Sequence, residues 1–270
     1  AGANFLLKLA PLLGTRNWQV AFHPYPKNLF KPEFSPFDWP NVTYGNPGQI
    51  IGWLRQKFPD RPHAWKVQFT ESGINSSSPS SSEAIQAKGV CDSSYNVFGT
   101  PWVTDYVYHG MYDDGLTAEL QVGLFHADST PKPAWSVWAN QNDCGYQYAP
   151  YTRVTRSYGA AHWASSRLPP TGYKVEKSWY LERNGDCSTQ VVLWECNVGN
   201  HTTYLSKDPA CAGAMNMGPV GYADLTQKSG EVALYQCKVS NDDWFISDAA
   251  DCEGQSVVGL LGYVRLDPTP

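Results

Sequence analysis

An internal period of 41 residues in the C-terminal part of the chain constrains its fold more than any other feature. Leu193-Trp194-Glu195-Cys196 aligns with Leu234-Tyr235-Gln236-Cys237, and Tyr204-Leu205-Ser206 with Phe245-Ile246-Ser247. Cys211-Ala212-Gly213 aligns with Cys252-Glu253-Gly254, and Gly221-Tyr222 with Gly262-Tyr263. One further step back reaches Trp163-Ala164-Ser165, so three copies cover about 151–190, 191–231 and 232–270. A unit of about forty residues made of short strands and Gly turns, such as Asn184-Gly185 and Ser229-Gly230, cannot bury its apolar face alone and must pack on its neighbours. Three equal copies predict a β-trefoil-like module, because threefold closure removes free strand edges. A small sandwich, the rival, needs no equal copies.

The period also organises the cysteines. Cys196 and Cys211 occupy the same columns as Cys237 and Cys252, while the first copy has Thr155 and Pro170 there. Both cysteines are present or both absent, as a disulfide within each copy requires. A metal site is the alternative, but a spacing of 15 without Cys-x-x-Cys or a matching His suits zinc poorly. Cys91 and Cys144 make a third pair. Cys187 is left over, as a buried free thiol or as half of a bridge to a segment outside this chain. Disulfides imply an oxidising, extracellular compartment. Sequons at Asn41, Asn75 and Asn200 add candidate glycosylation sites.

The N-terminal part has a different grammar. Strand patterns at 18–22, 65–70 and 102–108 alternate with helix patterns at 3–13, 47–57, 82–98 and 132–141. That rhythm predicts a parallel sheet covered by helices. The expected organisation is therefore α/β followed by all-β, with domains at 1–146 and 147–270. The three strands run into His23, Glu71 and His109, with Asp113 close behind. Carboxyl ends of parallel strands share one rim, so these groups converge on one cleft. A single such residue is read more simply as a cap, but three successive strands ending alike favour a site.

Trp18-Gln-Val-Ala-Phe-His23-Pro24-Tyr25-Pro26, Phe69-Thr70-Glu71-Ser72-Gly73-Ile74-Asn75, Tyr108-His109-x-x-Tyr112-Asp113 and Lys132-Pro133-Ala134-Trp135 together resemble a family of secreted TIM-barrel proteins. That family looks like the glycoside hydrolases whose nucleophile is a Glu ending strand seven. The resemblance implies that the first domain is the C-terminal half of a (β/α)8 barrel. It casts Glu71 as nucleophile, His23 and His109 as the sides of the sugar subsite, and Tyr25, Tyr112 and Asp113 as substrate-binding neighbours. A complete barrel takes roughly 250 residues, so the resemblance also implies a preceding chain segment that closes the barrel and carries the general acid.

The repeats resemble accessory modules at the ends of secreted fungal and bacterial proteins, through Leu-Tyr-x-Cys, aromatic-x-Ser and Cys-Glu-Gly signatures. Shallow pockets that hold sugars combine an aromatic face with a carboxylate or amide. Trp194, Trp244, Asp242, Asp243 and His201 are the candidates, although large aromatics are more often core. Two functions follow: a retaining glycoside hydrolase-like protein acting on poly- or oligosaccharide, or a non-catalytic lectin using its repeats.

Composition removes other classes. The chain has 20 Lys+Arg against 25 Asp+Glu, and 17% charged residues without a basic run. It therefore lacks the cationic footprint of a nucleic-acid partner. Apolar runs near Leu6 and Leu12 are broken by Lys8 and Pro11, far short of a membrane span. Phosphate-cradling Gly loops and a G-x-S-x-G elbow are missing, so neither a nucleotide cofactor nor serine hydrolysis is implied. His109 with Asp113 is too small a donor set for a metal.

Overall fold

The computed structural model of the chain describes residues 2–114, 118–140, 144, 150–199, 202–240 and 243–268. Its N-terminal part contains strands β1 (Val20–Phe22), β2 (Val67–Phe69) and β3 (Val103–Tyr106), paired in parallel in that order. Helices α1 (Gly2–Leu9), α2 (Gly48–Lys57), α3 (Glu83–Phe98) and α4 (Pro133–Ala139) surround them. The Ser82 hydroxyl caps α3 by accepting from the Ile85 amide at 3.3 Å. Ile50, Ile51, Leu54, Val90 and Val97 from the helices close over Val67, Phe69 and Val103 of the sheet, forming the core of this part.

The fold is not the expected (β/α)8 barrel, nor half of one. Side chains alternate across a strand, and in register only one face of this sheet is wholly apolar. Val20, Val67 and Val103 align, as do Phe22, Phe69 and Tyr106, whereas the row between them is Ala21, Gln68 and Asp105. Ala21 and Asp105 are exposed, with Thr104 beside them donating to Asp105 at 2.7 Å. A barrel interior needs layers of apolar side chains on that second face. In place of such an interior, the described residues contain three parallel strands with a partly polar second face.

The repeats form one mixed sheet of nine strands, correcting the β-trefoil expectation. The strands are β4 (Tyr151–Tyr158), β5 (His162–Ser165) and β6 (Lys174–Glu182); β7 (Gln190–Gly199), β8 (Thr202–Ser206) and β9 (Met215–Asp224); and β10 (Glu231–Ser240), β11 (Asp243–Ser247) and β12 (Ser256–Arg265). In each copy the first strand is central, pairing antiparallel with both others. The third strands meet pairwise, through Glu182–Tyr222, Tyr263–Asp224 and Arg265–Tyr180. Copies thus join through their third strands, and β5 and β8 also pair in parallel at Trp163–Thr203. Ala164, Leu205 and Ile246, one period apart, pack with Trp179, Val220 and Leu261 in the shared core. Where third strands converge the chain uses Gly221 and Gly262, because a Cβ there would lie 2.6 Å from Leu181 and 2.8 Å from Ala223.

Disulfides join Cys91 to Cys144, Cys196 to Cys211 and Cys237 to Cys252, and Cys187 is an exposed free thiol. The boundary expected at 146/147 falls outside the described residues. Among the described residues no helix is long and apolar enough to cross a membrane.

The two parts interlock. Arg153 donates to the Tyr95 hydroxyl at 2.9 Å, the Leu168 amide to Asn96 at 2.8 Å, and Arg183 to the Phe98 carbonyl. Trp102 packs edge-on to Trp194 at 5.5 Å and donates to the Tyr222 hydroxyl at 3.0 Å.

Candidate functional site

The carboxyl ends of β1, β2 and β3 bring His23, Glu71 and His109 to one rim. The parallel ladder continues past the strands: the Thr70 amide donates to Phe22, Val107 to Phe69, and His109 to Ser72. The Ser72 hydroxyl in turn donates to the Val107 carbonyl at 2.7 Å. These bonds hold Glu71 and His109 at matching heights. The loop after Glu71 is fixed by buried phenols, since Gly73 donates to the Tyr44 hydroxyl at 2.8 Å and Ile74 to the Tyr108 hydroxyl at 3.2 Å.

Glu71 is the centre of the cluster. Tyr25 donates its hydroxyl to Glu71 Oε1 at 2.8 Å. His23 Nδ1 lies 3.1 Å from Oε2, and His109 Nδ1 lies 3.7 Å from Oε1. The Glu71 side chain is 33% exposed, and those of His23 and His109 are 50% and 60% exposed, so the group faces solvent. Gly73 admits the Tyr25 ring close by: a Cβ there would lie 3.3 Å from Tyr25 Cε1. Burial raises the Tyr25 phenol well above its ordinary value, and the hydrogen bond to Glu71 adds to this. Tyr25 therefore remains a donor at any physiological pH. Burial likewise raises Tyr44 and Tyr108, and pushes Tyr106 up to about 12.

Other residues singled out from the sequence lie elsewhere. Asp113 faces inward, where Lys132 reaches it at 2.6 Å and the Gly123 amide donates to it at 2.9 Å. Both side chains of that ion pair are almost fully buried, so Asp113 anchors the loop rather than meeting a ligand. Tyr112 is 53% exposed and packs on Phe125. Trp194 is buried against Trp102 beneath Arg55. Trp244 stacks on Tyr204 at 4.8 Å with Lys238 over its ring. Asp243 is 2.9 Å from His162 Nδ1, at the corresponding junction between the third and first copies. Asp242, His201 and Asn200 lie outside the described residues.

Asn41 is exposed, but Asn75 is 1% exposed and fully engaged. Its amide donates to Phe30 and Glu119 carbonyls and its oxygen accepts from Ser77 and Gln121, leaving no room for a glycan in the folded chain. Among the described residues no group of three or more His, Cys, Asp or Glu is placed to hold a metal ion. Sequence reasoning did not single out Tyr44, and it met Tyr108 and Lys132 only as parts of the motifs around His109 and Trp135; nothing in their spacing marks the three as supports of the rim.

A family model described as a family of unknown function (DUF5722) matches residues 5–166, more than half of the chain. The chain belongs to DUF5722. The DUF5722 match contains the whole Glu71 cluster and ends just past β5, inside the first repeat copy. No curated protein matches. Among solved structures the chain is similar to one described as a family 39 glycoside hydrolase from the gut symbiont Bacteroides cellulosilyticus WH2, at 14% identity and a TM-score of 0.41. The similarity covers 98% of the DUF5722 chain and 47% of the other, so this chain spans about half the length of that structure.

Proposed function

We propose that this chain acts on carbohydrate at the rim of its parallel sheet, with Glu71 as nucleophile of a retaining glycosyl hydrolysis. The observation that carries this reading is the half-open Glu71 carboxylate, held by the Tyr25 hydroxyl and flanked by two imidazoles. Tyr25 fixes one oxygen of the carboxylate by its hydrogen bond. His23 and His109, both open to solvent, supply donors and acceptors for sugar hydroxyls. In this reaction a Glu71 oxygen bonds to the anomeric carbon while the glycosidic C–O bond breaks, and the departing oxygen takes a proton from a general acid. Water, deprotonated by that same group, then hydrolyses the glycosyl ester. The acid must lie about 5–5.5 Å from the nucleophile. Asp113 is neutralised by Lys132, so the reading assigns the acid to a group outside this chain. Three disulfides suit a secreted protein.

The test is release of reducing ends from a panel of polysaccharides. Glu71→Gln should keep the fold and ligand binding and abolish turnover, because the amide cannot form the ester. Hydrolysis that continues unchanged in this variant overturns the assignment. A second reading is carbohydrate binding by the repeats, with the half-buried Trp244 as the aromatic to test. It requires glycan binding that survives Glu71→Ala and disappears in Trp244→Ala.

A further inference from the structure

A second cleft, which shares no lining residue with the Glu71 cluster, lies where α2 faces the start of β9. Its cavity of about 420 Å³ is lined by Trp39, Trp53, Arg55, Gln56 and Met215 among others, and an adjoining groove of about 730 Å³ shares Trp39 and Met215. Arg55 is the one cation in the cavity lining, which contains no carboxylate. Its guanidinium carbon lies 5.1 Å from the Trp65 ring centre and 5.0 Å from that of Trp194. Stacking on indoles occupies the face of a guanidinium and leaves its in-plane N–H fork free for a planar anion. Among the described residues no carboxylate comes within ion-pair distance, and Arg55 Nε is buried without an acceptor. The charge of Asp208 acts on it from further off and offsets in part the lowering of its pKa by burial. Trp39 is 42% exposed on the wall common to both cavities. An exposed indole and a guanidinium without an ion-pair partner in one cavity wall match a sugar ring that bears an anionic group: the apolar face stacks and the charge pairs.

We propose that this cleft is a binding subsite for an acidic saccharide, with Arg55 taking its carboxylate or sulfate and Trp39 its ring face. The saccharide class rests on the carbohydrate reading above, whereas the anion rests on Arg55 alone. Titration calorimetry on the full chain with an oligogalacturonide, a sulfated oligosaccharide and a neutral cello-oligosaccharide of equal length tests it. Binding of one anionic probe and not the neutral one is expected, and which of the two binds identifies carboxylate or sulfate. Arg55→Gln should weaken that binding tenfold or more, as loss of a charge-assisted pair does. Trp39→Ala, which removes an exposed ring, should weaken it with the fold intact, so the inference does not hang on the folding of the Arg55 variant. Glu71→Gln should bind like the parent. Absence of binding by both anionic probes, equal binding of the neutral one, or affinities unmoved in both variants would overturn the subsite. Anion binding that depends on Arg55 in a chain releasing no reducing ends would leave the subsite standing and remove the hydrolase reading.

Discussion

Gly48 and Gly218 touch backbone to backbone: a Cβ built on Gly218 would lie 2.5 Å from the Gly48 Cα, and one on Gly48 would meet the Met217 carbonyl. Helix α2 reaches β9 this closely because Gly48 and Gly52, four residues apart, present one bare stripe. Gly218 also has φ +113°, a conformation open to glycine.

Gly48→Ala should therefore destabilise the chain by about 1–3 kcal/mol, the usual range for overpacking. Gly259→Ala, with nothing within 4 Å of the added methyl, should change stability little. Denaturant midpoints of the two variants check this; equal midpoints would show that α2 can slide off β9 freely.

The Arg167–Glu195 pair is buried, with the Ser165 hydroxyl donating to the same carboxylate oxygen at 2.5 Å and Glu195 Oε1 left without a partner. Burial raises the Glu195 pKa against the pull of Arg167. Arg167→Met alone should cost about 3–5 kcal/mol, since it strands a buried carboxylate, while Arg167→Met with Glu195→Leu should cost much less. A double-mutant cycle by thermal unfolding measures the difference.

Four phenols around the rim have raised pKa values: Tyr25, Tyr44, Tyr106 and Tyr108. Above pH 10 the unfolded chain releases these protons and the folded chain keeps them, so the unfolded state binds fewer protons and stability falls as pH rises. The contribution is complete below pH 10. For Tyr106, raised to about 12, it amounts to roughly 2–3 kcal/mol, lost between pH 10 and 12. Tyr106→Phe should flatten that part of the alkaline unfolding curve, followed by tyrosinate absorbance.

Cys237 and Cys252 close a loop with a separation of 15, as do Cys196 and Cys211. Replacing either pair by Ala should cost about 3 kcal/mol by the chain-entropy argument. Calorimetric melting of each double variant gives the number, and near-parent stability would place the strength of the copies in their shared core instead.

The strand ends were readable because chain order and parallel pairing leave little freedom in where His23, Glu71 and His109 go. The helices were readable from their periodicity, as the pattern at 82–98 shows beside the observed Glu83–Phe98. What eluded the sequence depended on partners distant along the chain. Nothing local marks Asp113 as sequestered by Lys132, Trp194 as covered by Trp102, or Asn75 as occupied on all sides. The barrel expectation failed on a row of three residues, Ala21, Gln68 and Asp105, whose shared face is set by register alone. The trefoil expectation failed because a period tells how many units there are, not which edges they join.

The first and second copies both meet the helical layer, one through Arg153, Leu168 and Arg183, the other through Gly218 against Gly48 and Tyr222 under Trp102. All three copies feed one shared core. A cut inside the array would therefore expose apolar surface on both pieces, and a cut before it would strip the helices of their support. The helical layer and the repeats are equipped to be inherited by another host only as one block.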